Sequence, residues 1–418
     1  MATYINYGEG EDDAMVQGAE WLQHLLQVTQ GPDAEKLFKE KFQAIHTAQQ
    51  EARQYNHGPI FDLLVDYSEG LFTAIPENRP EERLKEIESF FALVLSMLLL
   101  LEDTEHLSKA TTRQCELFSS AHKPDQQPEL RLRLLMMLYN TFNNPTFEFR
   151  YRVFKYALDY AAKAELFDQI LPYLEFLDSW MVDWKAYLTV DDKRALYFDI
   201  STYLRALGKK VDAFTYLKQY HQLFKGESAE NMSKKQVQDA TIQLIKDAVQ
   251  LPAVIQFDDI LVLDTVKELG KTKQDGLVKL CEVFYSGDVK SLQDFQKKNE
   301  ALFKEHELVF EDAMAKMRLL TLATVAHGRS ELSLEEVASS LDESPDNVER
   351  WVVRAISEGV LDGRIDQLNK KVLIKSSFQR KFEKDEWAFL DGKLSCWIDN
   401  LEHVIKFIGE QKDLKNAA

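Results

Sequence analysis

Between Met317 and Phe378 the hydrophobic period changes from three-to-four residues to two, and that change limits the chain to few folds. Met314, Met317, Leu320 and Thr324 mark one face of a first helix. Ser333 offers an N-cap oxygen and Glu336 the reciprocal carboxylate of a capping box, ahead of a stripe of Leu334, Val337, Ala338 and Leu341. Ser344 is placed to cap a third helix, Pro345 suits its first position and Gly359 ends it. Between them Val348, Trp351, Val352, Ala355 and Ile356 step along one buried face. Leu361, Gly363 and Ile365 then alternate with Asp362, Arg364 and Asp366, and after a turn at Gln367 to Lys370 a second strand runs from Lys371 to Lys375. Three helices followed by a two-stranded ribbon predict a winged helix over 311–378.

Upstream the chain reads as helices joined by short links, with nearly every proline at a junction where a missing N–H costs nothing. Residues 1–14 read as an acidic, disordered leader, since Glu9, Glu11, Asp12 and Asp13 with no base are unlike a signal or transit peptide. Residues 15–225 predict a right-handed array of helical hairpins of the tetratricopeptide or HEAT kind. Within it Asp191 to Leu207 and Lys210 to Leu223 form a loose tetratricopeptide-type hairpin, and Phe167, Ile170, Leu174 and Leu177 share a face. Phe90 to Leu101 is almost wholly apolar but falls short of the ~20 residues of a membrane span, so it reads as a helix buried on all sides. A polar break from Phe224 to Ser228 divides this array from a second helical region over 226–310. The fold class is therefore all-α dominated: a helical-repeat array, a winged helix with a small β-wing, and one more helix over 379–418.

That last helix carries the other informative pattern. Trp387, Leu390, Leu394, Trp397, Leu401, Val404 and Ile408 step 3, 4, 3, 4, 3, 4, the seam of a coiled coil or bundle, and Ile398 and Ile405 widen it. Packing on its own winged helix accounts for the first half of the seam, and helices of other subunits for the rest.

Charge decides what the winged helix meets. The chain carries a formal net charge of −18, which argues against a nucleic-acid coat. The third helix holds Asp346, Glu349, Arg350, Arg354 and Glu358, a poor reader of phosphates and base edges. The wing is more basic, with Arg364, Lys370, Lys371 and Lys375, but Asp362 and Asp366 are interleaved, which reads as cross-strand charge pairing. Direct RNA contact is thus only weakly supported. Protein is the better partner, through an open wing edge whose contact set is Leu361, Arg364, Ile365, Lys371, Val372, Leu373 and Ile374.

No constellation for chemistry emerges. Gly270-Lys271-Thr272 lacks the glycine five residues earlier that a phosphate loop needs, since Thr265 stands there. The nine histidines form no metal-binding spacing, and Asp191-Asp192 and Asp258-Asp259 suit helix N-termini better than an acid–base pair. Cys115, Cys281 and Cys396 support no disulfide framework and point to a reducing, cytoplasmic location. The expectation is a protein that is not an enzyme, with no cofactor, metal, small-molecule ligand or membrane contact.

Helical repeats leading into a winged helix and a final helix resemble the PCI-domain family, found in the proteasome lid, the COP9 signalosome and translation initiation factor 3. The resemblance is carried by Leu132-Arg133-Leu134-Leu135 with Tyr139-Asn140, by Phe257-Asp258, by Ala315-Lys316-Met317-Arg318-Leu319-Leu320-Thr321, by Ile365-Asp366-Gln367 before Lys371-Val372, and by Trp387 with its heptads. It is closest to the initiation factor 3 branch; a signalosome subunit 7-like or lid subunit, or a PCI protein of messenger RNA export, are the alternatives. The resemblance implies a scaffold whose partners are other PCI and MPN subunits of one large complex, and the small ribosomal subunit through that complex.

Overall fold

The computed structural model describes residues 11–52, 56–72, 80–101, 103–120, 127–142, 148–380 and 384–416. It divides into two compact units, Met1–Leu196 and Tyr197–Ala418. The division falls inside a helix, upstream of the polar break at Phe224 to Ser228. That break is a turn within the second unit: Gly226 has φ +76°, and its N–H donates to the Asp264 carboxylate at 3.0 Å.

The first unit is built from α1 (Glu11–Thr29), α2 (Pro32–Ala52), α3 (His57–Ser68), α4 (Pro80–Met97), α5 (Thr104–Phe118), α6 (Pro128–Thr141) and α7 (Glu148–Lys163). The short turns α8 (Leu171–Leu174) and α9 (Leu177–Asp183) follow, and then α10 (Val190–Ala206), which crosses into the second unit. Helix α1 begins inside the span read as a disordered leader; residues 1–10 lie outside the described residues. Phe167, Ile170, Leu174 and Leu177 are all buried, but on successive short turns rather than one helix. Pro172 near the start of α8 is one local reason for that broken course. Burial is nearly complete from Phe90 to Leu98, whereas Glu81, Glu82, Lys85 and Glu86 earlier in α4 are exposed and Leu99 stands out at 56% exposure. Among the aromatic contacts that pack the unit are two clusters. Phe72, Phe91 and Phe118 meet edge-on or stacked, with the Arg131 guanidinium 4.0 Å from the Phe72 ring and donating to Leu117 O at 2.8 Å. Trp180, Trp184, Tyr139 and Phe154 form the other.

The second unit continues with α11 (Lys210–Gln222), α12 (Ala229–Met232), α13 (Lys235–Gln250), α14 (Asp258–Leu261), α15 (Asp264–Leu269), α16 (Asp275–Ser286), α17 (Val289–Lys298), α18 (Glu300–Glu305) and α19 (Phe310–Ala326). The predicted hairpin is present: α11 follows α10 after Gly208 at φ +78°, and Ser201 Oγ donates to Ala213 O at 2.9 Å across it. The winged helix then comprises β1 (Glu331–Ser333), α20 (Leu334–Leu341), α21 (Pro345–Ser357), β2 (Leu361–Asp366) and β3 (Lys371–Ser377), and the chain ends in α22 (Lys384–Asn416).

The Ser333–Glu336 capping box is formed in both directions. Ser344 occupies the predicted cap position in extended backbone but makes no side-chain cap bond. Val337, Leu341, Val348, Val352 and Ala355 are buried in one core with Leu319, Leu322 and Ala323 of α19. The single-face reading of α19 is too narrow. It packs on α13, α17, α20, α21 and β3, and is therefore buried nearly all round, whereas Thr324 is exposed.

Candidate protein-interaction site

The wing has three strands, not two. Their order is β1-β3-β2, all antiparallel, with Glu331, Leu332 and Ser333 opposite Leu373, Val372 and Lys371. A three-residue strand has no room to show alternation, and its last residue doubles as the helix cap, so the sequence concealed it. One side of β3 is thereby partly covered, and β2 is left as an edge of the sheet.

The residues proposed for the wing separate by the strand period of two. Leu361 and Val372 are 2% and 1% exposed in the winged-helix core, with Ile365 and Ile374 packed against it. Leu361 and Val372 therefore cannot contact a partner while the domain is folded. Arg364 and Leu373, paired across β2 and β3, point outward, and Leu373 is 44% exposed. Lys375 Nζ lies 2.9 Å from Asp362, the cross-strand pairing the sequence suggested, whereas Lys371 Nζ lies 3.0 Å from Glu331 of β1 rather than from Asp366. On α21, Arg354 lies 3.8 Å from Glu358, and Arg318 of α19 lies 2.9 Å from Glu343. The Arg318 and Arg354 guanidinia both lie against the Trp351 ring, at 5.2 and 5.5 Å.

Helix α22 brings the whole predicted seam together and leaves it in solvent. Trp387 is 61% exposed, Leu394 46%, Trp397 64%, Leu401 61% and Ile408 59%; Leu390 and Val404 are exposed as well. The expectation that the first half of the seam packs on its own winged helix is not met. Trp387 and Leu390 belong to that half, and both are exposed.

What anchors the base of α22 escaped sequence reasoning. Arg380, four residues before the helix, is buried, and its guanidinium donates to Phe284 O at 2.8 Å, Gly287 O at 2.7 Å and Val283 O at 3.2 Å. These carbonyls close the C-terminal end of α16, where Val283 O also accepts the Gly287 N–H at 2.8 Å, and Arg380 adds a side-chain cap to them. Burial lowers its pKa to about 10. Nearby, Lys316 of α19 donates to Leu251 O at 2.8 Å and to Ala248 O, at the end of α13, and lies 5.0 Å from the Phe257 ring, which stacks on Phe284 at 5.1 Å. Burial draws the Lys316 pKa down to about 7, while burial pushes the Cys281 thiol up to about 12. Lys316, Phe257 and Met317 all come from segments that carried the family resemblance. Their shared work is to join the helical region to the winged helix. Only a lysine inside an otherwise apolar helical run hinted at it.

Among the described residues no three His, Cys, Asp or Glu side chains converge as a metal site would require, and no helix is long and apolar enough to cross a membrane. Gly270 ends α15, and Asp258 and Asp259 lie in the first turn of α14.

Residues 292–376 match the PCI domain family. Over most of its length the chain is similar to eukaryotic translation initiation factor 3 subunit M. The mouse protein is 31% identical over 325 residues, 77% of this chain and 82% of its own length. The human protein is 30% identical over the same shares, and that of Dictyostelium discoideum 28% identical over 331 residues, 78% of this chain and 80% of its own.

Proposed function

This chain belongs to the eukaryotic translation initiation factor 3 subunit M family, and on that footing we propose that it is a non-catalytic scaffold of the initiation factor, joining other PCI and MPN subunits and through them the small ribosomal subunit in the cytoplasm. The observation that carries the reading is α22. A helix of 33 residues with an apolar seam in solvent exceeds what an isolated chain keeps exposed, and a bundle with helices of neighbouring subunits removes the seam from water. The wing offers a second contact, with β2 as an edge for strand addition and Arg364 and Leu373 on its outward face. RNA contact through the wing lysines is not part of this reading, because Lys371 and Lys375 are engaged with carboxylates.

The test is recovery of the tagged full chain from its own cytoplasm, as wild type and as Leu394→Asp with Leu401→Asp. Both side chains are exposed, so the variant should fold and melt as the wild type does. The expected result is at least about tenfold less co-purifying initiation factor subunits and small ribosomal proteins, the loss that central apolar anchors cause. Undiminished assembly would remove α22 as the partner seam.

A further inference from the structure

A second surface, on the first unit, has the character of a docking site. After α7 the chain makes short turns around Pro172, and these leave Tyr173 and Phe176 42% and 56% exposed while Leu174 and Leu177, each the next residue along, are buried. Phe176 is the outer end of an aromatic column. Its ring stacks on Trp180 at 6.4 Å, and Trp180 lies 5.2 Å from Tyr139 of α6, itself buried. One turn back on α6, Met136 and Met137 line a groove of about 220 Å³ with Ile170 and Tyr173. Rings held from beneath lose little freedom when a partner lands on them, and methionines adapt to the side chain that enters.

The turns beside this groove are acidic. From Glu165 to Trp184 the chain carries Glu165, Asp168, Glu175, Asp178 and Asp183 and no lysine or arginine. Arg133, which lines the groove, lies 3.4 Å from Glu88, and the Arg150 guanidinium sits 4.3 Å from the Tyr139 ring. Such a field draws in lysine and arginine and repels nucleic acid.

We propose that the Met136–Tyr173–Phe176 face binds a basic segment of a partner protein, an apolar anchor side chain entering the groove while flanking lysines or arginines meet the carboxylates. The inference is independent of the scaffold reading of α22, since it concerns another unit and other residues.

The test uses the full chain and a labelled synthetic peptide with a central Leu-Leu pair flanked by three lysines on each side, followed by fluorescence anisotropy. Tyr173→Ser with Phe176→Ser removes the apolar half of the site, and Glu175→Lys with Asp178→Lys the charged half. Glu230→Lys with Glu311→Lys, on the second unit, makes the same change in net charge elsewhere. The expected result is salt-sensitive binding, weakened about tenfold by either site variant and less than about twofold by the distant one. Equal weakening by both charge reversals, or equal binding of a peptide with Ser-Ser at its centre, would reduce the effect to net charge and overturn the proposal. It also falls if single-stranded RNA binds this face, or if Phe176→Ser disperses a self-associated form in sedimentation, which would make a second copy the occupant.

Discussion

Lys316 is held where a lysine is ordinarily excluded, and its titration follows from that. Burial places its folded pKa near 7, against 10.5 ordinarily. Between those values the unfolded chain keeps a proton that the folded chain has released, so stability from this residue rises with pH across the window and falls again as pH drops toward 7. Replacing it as Lys316→Met removes that slope. In urea titrations at pH 7 and pH 10, the stability of the wild type relative to the variant should rise by about 3 kcal/mol at the higher pH. A constant difference would show that the amine is solvated. Arg380 poses the other case, a cation with four bonds to carbonyls of one helix end. Arg380→Met takes the side-chain donor from the Phe284 and Gly287 carbonyls and should cost about 3 kcal/mol.

At the scale of the element, the sheet is the most constrained part of the wing. The register of β2 and β3 shifts between Asp362 and Gly363, and a Cβ at Gly363 would press on the Leu373 carbonyl of the facing strand. Backbone cannot move aside as a flexible side chain can. Gly363→Ala should therefore destabilise the winged helix by about 2 kcal/mol, seen as faster amide exchange across 361–377 with little change in α13. Exchange confined to wild-type rates would mean that the bulge absorbs the methyl group. The helices were the legible elements, because capping box, N-terminal proline and terminal glycine act within a few residues of one another. Strand β1 was not legible, since its only distinguishing property is a partner forty residues away, Lys371 Nζ meeting Glu331 across that ladder.

For the whole molecule, the two compact units give Arg380→Met a distinct signature. Its bonds all lie within Tyr197–Ala418, so exchange should quicken through α16 and α19 while the aromatic clusters of Met1–Leu196 keep their protection. Loss of protection throughout would mean that the chain unfolds as one cooperative body. The two proposed surfaces divide along the same lines: the seam of α22 belongs to the second unit, and the aromatic groove to the first.

By itself the sequence determined the helical character, the winged helix, the heptad seam from Trp387 to Ile408 and the family resemblance, because each is written in short-range periodicity and in segments that stand together in the chain. Only the tertiary structure decided that Leu361 and Val372 face inward, that β1 joins the wing, that the seam of α22 is exposed, and that Lys316 and Arg380 are interior. The acceptors that make those cations tolerable lie 65 and 96 positions away along the chain. Whether a charged side chain is solvated or buried depends on what folding brings to it, and no local pattern encodes that.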